Sequence, residues 1–289
     1  MGGVLECVAN VSEGRRPEAL AALAAACSDA LLDVHADADH HRSVFTLAGR
    51  EASDLVGAAL RLARTVDEHV DLHRHSGVHP RLGALDVVPF VALEGAAPDE
   101  AVAASRAFGE AVAGELDVPV FLYDGADPAG RSLPSVRREA FVSRAPDFGP
   151  AVADPRLGAV CVGARPPLVA VNCELAGDDV SLANAVARAV RERDGGLPGV
   201  RALGFPLPSR GRVQVSMNLV ALSSTGVEAA CSEVRDQARR WGSDVVAIEL
   251  VGLLPATELA RCSDEFLSRA GVGPDHTVEA RLRAAGFWI

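Results

Sequence analysis

Apolar positions in the first half of the chain follow two periods, and these predict alternating strands and helices. Short apolar or alternating segments are typical of strands, whereas apolar residues spaced by three or four positions are typical of amphipathic helices. By this criterion the strands lie at 4–11, 31–34, 43–48, 84–93 and 118–123, and the helices lie around 20–27, 55–66 and 101–112. The stretch 124–150 is rich in Gly, Pro, Asp and Arg, which predicts a long surface excursion with at most one short helix.

The second half shows the same two periods more regularly. Strands are predicted at 168–174, 202–207, 212–220 and 244–251, with helices at 182–192 and 227–238. The order β-α-β-β-α-β is that of a ferredoxin-like unit, and the first half follows the same order with an added helix and strand. Pro166-Pro167 predicts the joint, so we expect a mixed α/β (α+β) fold of two ferredoxin-like βαββαβ subdomains, residues 1–164 and 165–289.

Two predicted strands of the second half alternate polar and apolar residues. Gln214, Ser216 and Asn218 share one face of one strand, and Asn172 and Glu174 share one face of another. An antiparallel sheet covered by helices on one side can leave its other side in water, so a solvated face is one interpretation. The other interpretation is a polar wall facing a ligand, because uncharged amides and a hydroxyl suit a ligand better than a bare surface.

Composition narrows the classes of protein that this sequence can encode. The 289 residues carry a formal net charge of −11, which disfavours binding to nucleic acid. No apolar run is long enough to span a membrane, and the start lacks a basic segment followed by an apolar one, so neither a membrane protein nor a secreted one is expected. The six cysteines form no CxxC pair, which favours reduced thiols in the cytoplasm. Lysine does not occur in the sequence, which excludes a Schiff-base lysine.

A histidine-rich loop is the most distinctive chemical feature of the chain. His73, His75 and His79 fall within seven residues, next to Gly77 and Pro80. Three interpretations are open, namely a metal site, a solvated loop, and acid/base chemistry, for which imidazole titrates in the right range. The loop itself contains no cysteine or carboxylate, so no metal is expected. A second histidine cluster, 35–42, is equally well explained by a polar turn.

Short motifs distinguish among enzyme classes. No P-loop, G-x-S-x-G or Rossmann glycine motif occurs, which disfavours nucleotide hydrolysis, serine hydrolysis and dinucleotide redox chemistry. Six segments instead resemble, in order, the glutamate formiminotransferase family, which is the N-terminal part of formiminotransferase-cyclodeaminase. Segment 5–14, LECVANVSEG, resembles the family opening ECVPNFSEG, and segment 79–87, HPRLGALDV, resembles the family's HPRMGALDV. The other four segments are 145–150, 163–165, 214–219 and 250–255.

This resemblance implies a two-subdomain enzyme whose sheets face each other across a ligand groove. The implied reaction moves a formimino group from N-formimino-L-glutamate to the co-substrate tetrahydrofolate, giving 5-formiminotetrahydrofolate and glutamate, as in histidine degradation and one-carbon metabolism. His79 stands at the position of the family's acid/base histidine, and the folate-binding stretch runs from Asp147 to Gly158. No metal is implied, and a cytoplasmic homodimer that acts on small molecules is expected.

Both substrates are anionic while the chain is acidic, so arginines are needed to attract them. Arg42, Arg81 and Arg165 lie in motif segments and are the candidates, although a structural ion pair is the alternative for each. The full set of predicted binding residues is Asn10, Arg42, Arg81, Asp147, Gly149, Pro150, Gly158, Arg165, Asn172, Gln214 and Asn218.

Three positions depart from the family pattern. Val78 stands where the family has Glu, His35 where it has Asp, and His41 where it has Asn. These differences bear on the donor, so two alternatives stay open: a folate-dependent formyl or other one-carbon transfer, and a folate-binding protein without turnover. The cyclodeaminase part has no counterpart in this sequence, so its activity is not expected.

Overall fold

The computed structural model describes residues 3–287 and divides into two compact units, Met1–Pro166 and Pro167–Ile289. Each unit is built on one sheet, with six strands in the first and four in the second. The predicted mixed α/β fold of two subdomains is therefore confirmed. None of the helices formed by residues 3–287 combines the length and the apolar character that crossing a membrane requires.

The first unit begins with the predicted ferredoxin-like order and then extends it. Its elements are β1 (Leu5–Val11), α1 (Pro17–Cys27), β2 (Leu31–Asp37), β3 (Arg42–Gly49), α2 (Ala52–His69), β4 (Leu85–Ala92), α3 (Pro98–Leu116), β5 (Val120–Asp124), α4 (Leu133–Glu139) and β6 (Val160–Ala164). The sheet runs β2-β3-β1-β4-β6-β5, in which the pairs among the first four strands are antiparallel and β6 lies parallel to both β4 and β5.

Strand β6 was not predicted, and the reason is physical. It has only five residues, all buried, and it lies between two parallel neighbours. A parallel strand covered on both faces lacks the polar alternation that marks a half-exposed strand. The short helix α4, by contrast, falls inside the predicted surface excursion, as expected.

Helices cover the two faces of the six-stranded sheet unequally. Helices α1, α2 and α3 pack on one face, where the main core includes Phe45, Phe90 and Phe108. Alternate strand residues point to the opposite face, and there Phe121 and Cys161 pack beneath α4 in a smaller cluster. Helix α4 is thereby fixed on the face opposite the main core.

The elements of the second unit are β7 (Val169–Leu175), α5 (Val180–Val190), β8 (Val200–Leu207), β9 (Arg212–Leu219), α6 (Val227–Arg240), β10 (Val245–Val251), α7 (Ala256–Leu259), α8 (Asp264–Ala270) and α9 (Val278–Ala284). The four strands form an antiparallel sheet with the order β10-β7-β9-β8, as in ferredoxin-like folds. Helices α5 and α6 pack on its apolar face. The helices α7, α8 and α9 were not predicted.

Candidate active site

One edge of the six-stranded sheet collects the loops that carry His79, Arg81 and Gly158. Strand β1 ends and β3 begins at this edge because the two are antiparallel, and β4, β5 and β6 all begin there because they are parallel to one another. The loops at 12–16, 38–41, 70–84 and 154–159 therefore meet at this edge. Adjacent strands lie about 4.8 Å apart, so neighbouring loops can touch.

Asp86, the second residue of β4, is the buried centre of this edge. Its Oδ1 accepts hydrogen bonds from the Leu82 amide at 2.6 Å and, more weakly, from the Gly83 amide at 3.4 Å. Its Oδ2 accepts from Arg42 Nη1 at 2.6 Å and from Arg137 Nη2 at 2.5 Å. Burial by itself would raise the pKa of the Asp86 carboxyl, but the two guanidinium groups outweigh it and hold that pKa well below its usual range.

Arg42, the first residue of β3, is held by strands on the same sheet. Besides its bond to Asp86, its Nε and Nη2 donate to Asn10 Oδ1 at 3.2 and 2.9 Å. The side-chain nitrogen of Asn10, Nδ2, in turn donates to the backbone carbonyl of Val8 at 3.0 Å. The structural ion pair that was the alternative for Arg42 is therefore present, and Asn10 belongs to the same network.

Close backbone contacts shape the loop that carries His79. A Cβ on Gly77 would lie 2.2 Å from the carbonyl oxygen of His40, so glycine is required for the loop to approach the β2–β3 turn this closely. The Val78 amide donates to the carbonyl of Asp39 in the same turn at 3.2 Å. The β2–β3 turn therefore supports the loop through the Gly77 contact and the Val78 hydrogen bond.

Arg81 closes the same loop on itself. Its Nη2 donates to the carbonyl oxygens of Gly77 at 2.7 Å and of His79 at 2.6 Å. Within the part of the chain that the structure describes, no carboxylate forms an ion pair with Arg81. Its guanidinium thus brings a positive charge next to His79 without a direct counter-ion.

The imidazole of His79 is half-buried and has a defined orientation. Its Nδ1 lies 2.7 Å from the carbonyl oxygen of Pro80. Because a carbonyl oxygen can only accept, Nδ1 carries the proton in the neutral ring and Nε2 carries the lone pair. The His40 ring lies beside it, with ring centroids 5.7 Å apart.

The surroundings of His79 favour its neutral form. Burial is the largest effect that lowers its pKa below the ordinary value, and the positive charge of Arg42 adds to it. His40 and Arg137 act in the same direction, and only Asp86 opposes them. A neutral imidazole with a lone pair on Nε2 is a general base at neutral pH.

Two further histidines stack against each other beside this loop. The rings of His41 and His75 lie 4.1 Å apart and nearly parallel, and His75 Nε2 lies 2.8 Å from the His41 carbonyl oxygen. Burial lowers the pKa of both rings, that of His75 to about 4. Residues 3–287 contain no group of three or more His, Cys, Asp or Glu side chains arranged as metal ligands.

Glu13, from the first motif segment, anchors the His41 ring. Its Oε1 lies 3.2 Å from His41 Nε2 and accepts from the amides of Arg15 and Arg16 at 2.8 and 3.1 Å. Burial alone would raise the pKa of the Glu13 carboxyl, but these donors lower it to about 2. The Arg15 guanidinium donates a hydrogen bond to the Ser76 carbonyl at 2.7 Å, which ties the loop after β1 to the histidine loop.

The predicted folate-binding stretch touches this edge at Gly158. A Cβ on Gly158 would lie 2.2 Å from the Leu82 carbonyl oxygen, and Gly158 has a positive φ of 73°. The Ala159 amide donates to that same carbonyl at 3.1 Å. Glycine at this position is therefore required by contact with the histidine loop itself.

The other end of that stretch lies at the start of β5, two strands away from β4 in the sheet. Asp147 Oδ2 accepts from the Leu122 amide at 2.8 Å and from Arg144 at 2.7 Å. A Cβ on Gly149 would lie 2.4 Å from the Val118 carbonyl oxygen, and the half-buried Pro150 follows it. Asp147 and Gly149 thus have structural contacts in the first unit, and their contact with folate stays a prediction.

Four predicted binding residues lie outside this edge. Arg165 follows β6 at the opposite end of the strands, where its amide donates to the Phe90 carbonyl at 3.1 Å. Asn172, Gln214 and Asn218 belong to the second unit, on the sheet face opposite its helices. Within the first unit the structure therefore brings His79 together with Asn10, Arg42, Arg81 and Gly158, and it places Arg165 at the opposite end of the strands.

The polar face of the second sheet has its own network. Asn172 Nδ2 and Gln214 Nε2 both donate to Glu249 Oε2, at 2.9 and 3.4 Å. Glu174 accepts from Arg210 at 3.0 Å and from Arg212 at 2.7 Å. The alternation predicted for these strands is present, because Val213, Val215 and Met217 are buried on the other face.

Arg137 and Glu13 were not predicted as site residues. Arg137 lies in α4, within the stretch predicted as a surface excursion, and it reaches Asp86 from 51 positions away. Charged residues in a Gly- and Pro-rich stretch carry no periodic signal. Glu13 lay in a motif segment, and its position directly before Gly14 in a loop was the one available signal.

Known proteins similar to this chain agree with the sequence motifs. Residues 4–165 match the formiminotransferase domain, N-terminal subdomain, and residues 170–280 match the formiminotransferase domain. The chain is 35% identical over 282 residues to the glutamate formimidoyltransferase of Streptococcus pyogenes serotype M1, covering 92% of this chain and 94% of that protein. It is 35% identical over 299 residues to the glutamate formimidoyltransferase of Thermoplasma acidophilum, covering 98% of each.

A relative with a longer chain matches as well. The formimidoyltransferase-cyclodeaminase of Sus scrofa is 39% identical over 280 residues, which cover 90% of this chain and 51% of that protein. The present chain therefore spans about half of that relative.

Proposed function

Because the chain belongs to the formiminotransferase domain family, we propose that it is a glutamate formimidoyltransferase, a transferase that moves a formimino group from N-formimino-L-glutamate to tetrahydrofolate. Two relatives of that name match over nearly the full length of both partners. The products are 5-formiminotetrahydrofolate and glutamate, which places the enzyme in histidine degradation and one-carbon metabolism. The proposed mechanism rests on the 2.7 Å contact between His79 Nδ1 and the Pro80 carbonyl oxygen, and burial favours the neutral ring by lowering its pKa.

In this mechanism His79 moves one proton between two nitrogens. The N5 nitrogen of tetrahydrofolate attacks the amidine carbon of the donor, and Nε2 of His79 accepts the proton that N5 loses. A tetrahedral intermediate forms, and the protonated imidazole returns the proton to the departing glutamate nitrogen as the carbon–nitrogen bond breaks. Acid/base catalysis of this kind contributes about 10²–10⁴-fold.

Arg81 is the arginine at this edge that is best placed to bind a substrate carboxylate. Its backbone contacts fix the guanidinium beside His79, and only Nη2 is used in them. Nε and Nη1 keep their donors for a substrate carboxylate, which the positive charge of the guanidinium also attracts. Arg42 acts differently, since Asn10 and Asp86 take bonds from all three of its nitrogens and leave its positive charge as its contribution.

The proposal includes the co-substrate, the cellular compartment and the oligomeric state that the family implies. Tetrahydrofolate is a co-substrate that binds along the stretch from Asp147 to Gly158, and the chemistry described above needs no metal. The protein works in the cytoplasm as a homodimer. Sedimentation of the purified protein at micromolar concentration tests the dimer, and a monomer at all concentrations contradicts it.

A donor comparison tests the reaction itself. The purified protein is incubated with tetrahydrofolate and, separately, N-formimino-L-glutamate or N-formyl-L-glutamate, and the folate products are separated by chromatography. We expect 5-formiminotetrahydrofolate to form fastest. Faster formyl transfer favours the alternative one-carbon donor, which Val78, His35 and His41 keep open. Folate binding without any product favours a non-catalytic folate-binding protein.

A further inference from the structure

Arg137 lies in contact with both groups that define the orientation of His79. We infer that Arg137 is a positioning residue, which holds Asp86 and the Pro80 carbonyl together so that the His79 imidazole presents Nε2 to the substrates. The inference rests on the proposed function, in which Nε2 of His79 exchanges the proton.

Two hydrogen-bond donors converge on the Pro80 carbonyl oxygen. One is Nδ1 of His79, at 2.7 Å, and the other is Nη1 of Arg137, at 3.4 Å. The second nitrogen of the Arg137 fork, Nη2, donates to Asp86 Oδ2 at 2.5 Å. Arg137 therefore connects the acceptor that fixes the His79 tautomer to the carboxylate at the centre of the edge.

The contacts of Asp86 extend this connection to the loop backbone. Its other oxygen accepts from the amides of Leu82 and Gly83, which directly follow the His79-Pro80-Arg81 segment. Asp86 thus holds Leu82 by a direct hydrogen bond, and it holds Pro80 through Arg137. Removing the Arg137 fork frees the Pro80 carbonyl to turn, and the His79 ring turns with its acceptor.

Charge balance separates this role from an ordinary ion pair. Asp86 is already paired with Arg42, whose remaining nitrogens are bound to Asn10. A second guanidinium is not needed to neutralise one carboxylate, and it leaves a net positive charge beside the imidazole. The Arg137 side chain is 19% exposed, so water screens that charge only partly.

The groups that face His79 come from four elements. Arg42 from β3, His40 from the β2–β3 turn and Arg137 from α4 all oppose protonation of the ring, and Asp86 from β4 favours it. Loss of the Arg137 charge therefore raises the pKa of His79. The acid limb of the kcat profile must move to higher pH, because a larger fraction of His79 is then protonated and unable to act as a base.

Helix α4 supplies a matched control next to Arg137. Val136 packs into the small cluster beneath the helix and fixes its position. Arg138 follows Arg137 but is exposed, and its Nη2 donates to Ser135 Oγ at 3.1 Å within the same helix. Arg138→Gln removes the same charge from the same helix without touching Asp86 or Pro80.

The test compares Arg137→Gln, Arg137→Lys and Arg138→Gln with the parent, measuring kcat and KM from pH 5 to 9 and thermal unfolding. For Arg137→Gln we expect kcat at neutral pH to fall on the order of ten-fold or more, because small misplacements of a catalytic group are costly. Its KM values should stay near those of the parent and its acid limb should move up in pH. Arg137→Lys should keep the acid limb near the parent's position but recover only part of kcat, because an ammonium lacks the planar fork.

A second measurement needs no turnover. Nitrogen-15 spectra of His79 report its tautomer and its titration, and we expect the Nδ1–H form in the parent and a higher pKa with mixed tautomers in Arg137→Gln. If the parent lacks formimino transfer while these spectra change as expected, the proposed function fails and the positioning role stands. If the parent is active, the inference is overturned by any of three results: spectra and pH limb like those of Arg138→Gln, a rise in KM at unchanged kcat, or a kcat loss that matches only the unfolded fraction.

Discussion

Two buried carboxylates, one in each unit, are each bound by two arginines, but water reaches the arginines to very different extents. Asp86 pairs with Arg42 and Arg137, whose side chains are 11% and 19% exposed. Glu174 pairs with Arg210 and Arg212, whose side chains are 44% and 45% exposed. An ion pair is screened by the water around its partners, so the same chemistry acts strongly in the first unit and weakly in the second. The strongly coupled pair is also the one that adjoins His79.

The largest expected effect is that of Asp86→Asn. This change leaves Arg42 and Arg137 buried without their carboxylate, and breaking a buried pair in this way costs about 3–5 kcal/mol. Chemical denaturation should show that loss in the free energy of unfolding of the first unit. A loss below about 1 kcal/mol would mean that water compensates the two guanidinium groups, and the proposed contrast between the units would disappear.

An intermediate effect is expected from the stacked histidines of the first unit. Burial holds the pKa of His75 at about 4 in the folded protein, whereas an unfolded His titrates near 6.5. Between these values the unfolded state binds the extra proton, so stability is full above about pH 6.5 and falls as the pH drops towards 4. His75→Gln should flatten the dependence of unfolding free energy on pH in that window. Equal slopes for the parent and His75→Gln would show that the stacked ring titrates normally.

The smallest expected effect is that of Glu174→Gln in the second unit. Its arginines remain hydrated after the change, so the loss should be about 0–1 kcal/mol. Added salt should reduce it further, since the Debye length shortens from about 10 Å at 0.1 M to about 3 Å at 1 M. A loss as large as that of Asp86→Asn, or one insensitive to salt, would contradict the comparison.

Features that depend on neighbouring residues could be predicted from the sequence, whereas long-range contacts could not. Strand β9 alternates polar and apolar residues, so its polar and apolar faces followed from period alone. The family and the transferase activity followed from six segments in order and are confirmed by the relatives. Local patterns and motifs were sufficient for these features because each depends on neighbouring residues.

The network around Asp86 could not be predicted in this way. Arg42 and Arg137 reach it from 44 and 51 positions away, across strands and a helix whose pairing the sequence does not display. Strand β6 was missed because it is short, parallel and buried, and without it the place of α4 stays undefined. His41 departs from the family pattern, and its stack on His75 became visible only once the β2–β3 turn met the histidine loop.

The central claim is that His79 is the acid/base residue, and its most direct test is the turnover of His79→Ala with N-formimino-L-glutamate and tetrahydrofolate. His75→Ala and His35→Ala are measured beside it, together with folate binding and thermal stability. We predict that His79→Ala keeps its fold and binds folate, while turnover falls on the order of 10²-fold or more, and that the other two variants lose less. Near-normal turnover of His79→Ala, or a loss explained by unfolding alone, would contradict the account.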